Sequence, residues 1–169
     1  KNNKLWIGLG TGERANLPFM GSGATTLDNN RFYSVLDNDP LNATSVAAPL
    51  IETNLLDVTS LSGCPVISPS NGFFFVADEA EKFVTPPETF NFFVLTASYV
   101  PTGAASPCTS GGTARIYGFK ITCGQGLFAG PSAATSASDR SVDIGSGLPT
   151  APQVTITTDP NGQSSILVN

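Results

Sequence analysis

Short apolar runs recur along this chain, each cut off by glycine, proline, asparagine or aspartate, and none keeps a helical spacing over a helix-length window. Leu5-Trp6-Ile7 passes into Gly8, Gly10 and Gly12 and reads as a strand entering a turn. Arg31 to Leu36 is a second strand, rich in aromatic and branched residues and stopped by Asp37-Asn38-Asp39-Pro40. Residues 41–60 fit either a helical turn or an extended edge. Asn71-Gly72 marks a turn before Phe73 to Val76, and the charged stretch Asp78 to Lys82 leads to Phe83-Val84. Phe92 to Tyr99 is almost continuously apolar, the mark of a strand buried on both faces. Ala114 to Ile121 alternates, residues 130–141 read as a loop, and Gln153 to Thr157 pairs as a hairpin with Ser165 to Val168 across Asp159-Pro160-Asn161-Gly162. Strands at this spacing predict an all-β fold of antiparallel strands, loop-rich and with little or no helix; a propeller blade, a sandwich and a small barrel all fit the pattern.

Composition narrows the functional classes. The chain has 169 residues, suited to a single region spanning 1–169, and it is 40% hydrophobic with 11 Phe, enough to build a core. Only 12% of its residues are charged, about half the usual ~25% share. The net charge is −5, and Lys and Arg are scattered, which argues against a nucleic-acid partner. There is no histidine, so Ser-His-Asp and Cys-His catalysis are excluded for this chain by itself. No apolar run is long enough to span a membrane as a helix. The three cysteines, Cys64, Cys108 and Cys123, form no C-x-x-C pair, which argues against zinc. Low charge and Ser/Thr/Gly-rich loops suit an extracytoplasmic protein, where disulfides persist; Cys108 with Cys123 is the candidate pair, bridging a hairpin, against a default of unpaired thiols.

Candidate chemistry is sparse. Gly8, Gly10 and Gly12 lack the following helix and the acidic residue that a dinucleotide fingerprint needs, so a turn is the default. Asp37, Asp39 and Asn42 present alternating oxygens that suit calcium, with a turn closed by Asx hydrogen bonds as the default. Asp78, Glu79 and Glu81 read as a solvated loop rather than an acid/base pair. The clusters Phe73 to Phe75 and Phe90 to Phe93 read as core, with an exposed adhesive surface as the alternative. No catalytic residue is named.

Several segments, in order, resemble the C-terminal part of the β-propeller of the PilY family, large proteins associated with type IV pilus tips. Trp6 to Gly12 resembles an aromatic/branched strand ending in G-x-G-T-G; Asn30 to Asp37 resembles the strand after that loop; and Asn54 to Thr59 resembles a short L-x-D-v-T segment. Asn71 to Phe75 with Glu81-Lys82-Phe83 resembles N-G-W-Y followed by E-K-V, with Phe73 and Phe74 where the family tends to W-Y. Phe93 to Pro101, Cys108, Gly111-Gly112 and Arg115 to Phe119 resemble one further stretch, and Ile144 to Pro152 a G-x-G-x-P-x-x-P loop. Cys123 departs from the pattern.

The resemblance implies partial propeller blades and a non-catalytic surface protein of the type IV pilus system, extracellular or pilus-associated. It would act in pilus assembly, retraction control or adhesion. Its implied partners are pilins or minor pilins and the rest of its own propeller or a partner chain. Calcium is the one cofactor the family brings with it. Two alternatives stand beside it: a subunit of an extracellular filament or sheath pairing through strand edges, and a quinoprotein-like propeller enzyme or relic, against which Trp6, the only tryptophan, weighs.

Overall fold

The computed structural model describes residues 4–17, 29–41, 49–67, 71–101, 111–128, 137–158, 160–161 and 164–168. Among these residues the chain is strands and connections, broken only by three short 3₁₀ turns. β1 (Leu5–Gly10), β2 (Arg31–Asp37), β3 (Leu56–Asp57) and β4 (Gly72–Val76) form a first sheet in the order β1-β2-β4-β3. β5 (Lys82–Phe83), β6 (Glu88–Phe90), β7 (Phe93–Pro101), β8 (Gly112–Lys120) and β9 (Ser141–Ser146) form a second. In it, β7 pairs with β8 and β8 with β9, while β5 and β6 both pair with β7 on its other side. β10 (Val154–Thr158) and β11 (Ser164–Val168) pair with each other and, among the described residues, with no other strand. The expected all-β, antiparallel class holds, with the parallel β3–β4 contact as the one exception among the described pairings. Neither sheet closes into a barrel.

The two sheets meet face to face over an aromatic core. Phe32, Phe73 and Phe75 come from the first sheet and Phe83, Val94, Tyr117 and Phe119 from the second, all buried. Phe32 stacks on Phe119 with centroids 4.6 Å apart, and Phe83 meets Tyr117 edge-on at 5.3 Å. Period-two alternation puts Phe32 and Ser34 inward while Tyr33 and Val35 point outward. On β1 the inward positions are Trp6, Gly8 and Gly10, and the glycines matter here. A side chain at Gly10 would collide with the Phe83 side chain, so the missing Cβ lets β1 close on β5. Thr11 then hydrogen-bonds Phe83 across the gap, its carbonyl accepting from the Phe83 amide at 3.1 Å. Gly8 and Gly10 thus serve close packing within β1, and of the three only Gly12, with φ 147°, has the positive φ that the default turn reading called for.

Three connections lock the sheets at the opposite side. Ser34 donates its hydroxyl to the Ile121 carbonyl at 2.7 Å. Cys64, in the connection after β3, is disulfide-bonded to Cys123, in the turn after β8, with Cα atoms 5.2 Å apart. Arg140 donates to the Leu61 and Gly124 carbonyls at 2.7 Å each, and so bridges the same two connections as the disulfide. The expected Cys108–Cys123 pair is therefore corrected: Cys123 takes Cys64 across the sheets, and Cys108 lies outside the described residues. A pairing across the β7–β8 hairpin is local, whereas Cys123 sits buried in the core beyond β8, where the first sheet's connection arrives.

The far face of the second sheet is also covered. Leu95, Ala97 and Ile116 are buried there under Leu127, Phe128 and Val154. The expectation of a strand buried on both faces holds for β7, where Val94 to Tyr99 are all buried.

Candidate functional site

The densest polar cluster lies at the rim of the inter-sheet core. A tight turn, with Ala80 at φ 61° and the Glu81 amide donating to the Asp78 carbonyl at 3.1 Å, swings Glu81 inward. Its side chain is fully buried, 0% exposed, against the inner face of β7 and β8. Ser98 and Arg115 are cross-strand partners on that face and Tyr117 follows two residues on, so all three converge on one carboxylate. The Glu81 carboxylate accepts from the Ser98 hydroxyl, from the Tyr117 hydroxyl at 3.0 Å, from the Arg115 guanidinium at 3.2 Å and from the Asp78 amide at 3.2 Å. Asn30 donates its side-chain amide to the Glu81 carbonyl at 2.7 Å, tying the turn to the first sheet.

Arg115 binds outward as well. Its guanidinium reaches Asp78, and its Nε donates to Asp143 at 2.8 Å, a cross-strand neighbour on β9. Burial pulls the Arg115 guanidinium down, but Asp78, Glu81 and Asp143 outweigh it and hold it well above its ordinary value. Burial, then the Glu81 charge and hydrogen bond, push the Tyr117 hydroxyl well above the usual tyrosine range. Arg115, Asp78 and Asp143 edge an open groove of about 610 Å³.

This arrangement suits locking better than catalysis. A general base needs a lone pair aimed at substrate, and Glu81 faces four donors of its own chain. An anion approaching Arg115 would meet Asp78 and Asp143 first. Sequence reading placed Asp78, Glu79 and Glu81 together in a solvated loop; that holds for Asp78 and Glu79 and is corrected for Glu81. No local sequence signal marks the difference: Glu81 turns inward because it leads directly into β5, which pairs with β7.

The candidate calcium residues sit at the end of β2. Asp37 accepts the Asp39 amide at 2.9 Å, closing an Asx turn, and Asn42 lies outside the described residues. Asp37 and Asp39 are thus adjacent on one turn, which is the default reading of this stretch. Among the described residues no three acidic or cysteine side chains converge as metal ligands.

A second site is apolar. Phe90, Asn91, Phe93, Leu95, Leu127, Phe128 and Val154 line a cleft of about 410 Å³ at the tip of the β6–β7 hairpin. The hairpin turns through Asn91 and Phe92, with φ 46° and 65°, the two-residue geometry that normally takes Asn-Gly. Placing a phenylalanine there costs roughly 1–2 kcal/mol, and Phe92 stands 69% exposed. Of the two phenylalanine clusters, Phe73 and Phe75 are core as expected, whereas Phe92 is a surface residue.

Comparison with known proteins adds no relative: no protein-family model, no curated protein and no solved structure matches the chain.

Proposed function

We propose that this chain is a non-catalytic surface module of the type IV pilus system, akin to the PilY propeller region, working in pilus assembly, retraction control or adhesion. One observation supports it above the others: the outer face of the first sheet exposes an apolar strip. Leu5, Ile7 and Leu9 are 48%, 46% and 42% exposed at alternate positions of β1. Ile7 pairs with Val35 and Leu9 with Tyr33, and Tyr33 leans on Phe74, so the apolar strip crosses the sheet. Contiguous apolar faces of this kind mark interaction surfaces. In a propeller that face receives the neighbouring blade, as the second sheet already receives the first. The Cys64–Cys123 disulfide suits an oxidising compartment outside the cytoplasm.

A filament or sheath subunit pairing through strand edges is the second reading. It is favoured by β9, which among the described residues pairs only with β8 and exposes Val142 and Ile144. An immunoblot of a sheared cell-surface fraction separates the readings. The pilus reading expects a species several-fold heavier than 17.5 kDa that is lost from strains lacking pili. A band near 17.5 kDa that assembles without pili overturns it in favour of the filament subunit.

A further inference from the structure

We infer that the β6–β7 hairpin is a peptide-docking site. An extended strand pairs with the free edge of β6, drops an apolar side chain into the cleft beside Phe90, and sets a basic side chain against Glu88. The edge itself argues for this. In the hairpin, Phe90 and Phe93 flank a two-residue turn, so Thr89 opposite Val94 directs its amide and carbonyl away from β7. Among the described residues nothing pairs with that edge. One step back along the same side of β7, the edge is already used, because Phe83 of β5 bonds Thr11 of the first sheet.

The side chains supply the chemistry. Glu88 pairs with Leu95 and Phe90 with Phe93, so Glu88 and Phe90 share the cleft face of the sheet. A strand laid along β6 presents alternate side chains to that face, one at Phe90 and the next at Glu88. An apolar residue fits the first place, where the walls are Leu95, Leu127, Phe128 and Val154. A cation fits the second, where Glu88 is exposed on a chain of net charge −5. Phe92 stands exposed at the turn, between the cleft residues Asn91 and Phe93. Its left-handed backbone is what a folding requirement alone would have replaced with glycine.

The test is a titration of the chain with a blocked pentapeptide, Thr-Lys-Thr-Phe-Thr, read by amide chemical shifts. Saturable shifts at Thr89, Phe90, Leu127 and Val154 are expected. N-methylation of the peptide amides that face β6 should weaken binding at least tenfold while leaving the protein untouched. Phe92→Gly should raise the melting temperature by restoring the favoured turn, yet weaken the peptide at least threefold. Absence of saturable shifts overturns the inference. So does binding that N-methylation leaves unchanged, or decanoate displacing the peptide while itself shifting only cleft residues, since the cleft would then be an apolar-ligand pocket. A concentration-dependent dimer in sedimentation that buries the Thr89 amide would also overturn it, with a second copy as the occupant.

Discussion

The two sheets of this protein use apolar residues in opposite ways. In the second sheet both faces are covered: Val94 and Phe119 meet the first sheet, while Leu95 and Ile116 lie under Leu127, Phe128 and Val154. In the first sheet only one face is covered by the described residues, and on β1 the usual placement is inverted. Glycines point into the core to admit Phe32 and Phe83, and the large side chains Leu5, Ile7 and Leu9 point out. An apolar run in a sequence therefore says that a strand wants two neighbours, not that the chain supplies both. Removing an apolar group should therefore cost dearly between the sheets and little on the exposed face of β1.

The largest effect is expected at the centre of the covered interface. Phe119 is fully buried, stacks on Phe32 and lies 5.6 Å from the Tyr117 ring. Phe119→Ala should lower stability by ~3–5 kcal/mol in urea unfolding, because a ring-sized cavity opens where neither sheet can collapse. A loss of less than about 1 kcal/mol would mean that the sheets do not depend on each other. Glu81→Ala comes next, at about 3 kcal/mol. Most of that is not a lost attraction. It is Arg115, Tyr117 and Ser98 left facing one another without the acceptor that satisfied them. The double variant with Arg115→Met should therefore be less unstable than the sum of the two single changes.

The disulfide ranks third. It closes a sequence separation of 59 residues, for which replacing Cys64 and Cys123 by serine should cost ~2–4 kcal/mol, seen as a lower urea midpoint. Arg140 spans the same two connections, so the native fold should survive in the variant at neutral pH. If the variant is as stable as the parent, the connections are held by Arg140 and packing alone.

How much of this was legible beforehand follows from which contacts were local. β7, β8 and the β10–β11 hairpin were readable because apolar continuity, alternation and a turn signature all act within a few residues. β6 and β9 were not. Glu88-Thr89-Phe90 is too short to carry a strand pattern and Ser141 to Ser146 alternates only through Val142 and Ile144 before Gly145, and they extend because β7 and β8 offer ladder partners. Asn71-Gly72 read as a turn before Phe73, and Gly72 itself opens β4 with its missing side chain against the Ser34 backbone, a contact set by β2 from far away in sequence. Of the site residues, the exposed Asp78 was readable as such. Burial of Glu81 needed the position of β7 and β8, and the choice of Cys64 for Cys123 that of the first sheet, neither of which a local pattern encodes.

A smaller effect should appear at high pH. Burial and Glu81 raise the folded-state value of Tyr117 above the ordinary ~10, so the neutral hydroxyl is favoured in the native state. The resulting stability is fully present below about pH 10 and is lost as pH rises above it, where the unfolded chain ionises first. Burial acts on Lys82 in the opposite sense and lowers its value, so its contribution grows with pH and is complete by about pH 10.5. The difference between the parent and Tyr117→Phe isolates the tyrosine: above pH 10 the parent's urea midpoint should fall more steeply than the variant's.

The smallest effect is expected on the bare face, and it is what makes the comparison informative. Ile7 is 46% exposed on β1 and lies opposite Val35 in the ladder. In the isolated chain Ile7→Ser should change stability by no more than about 0.5 kcal/mol, the range for surface positions. The same substitution should act strongly on whatever the face binds, so its effect belongs in a pull-down from sheared surface material rather than in an unfolding curve. A variant that is neutral in urea but lost from the surface complex would establish the first sheet as an interface. A variant that is strongly destabilised in isolation would mean that Leu5, Ile7 and Leu9 are covered within this chain, and the contrast between the two sheets would disappear.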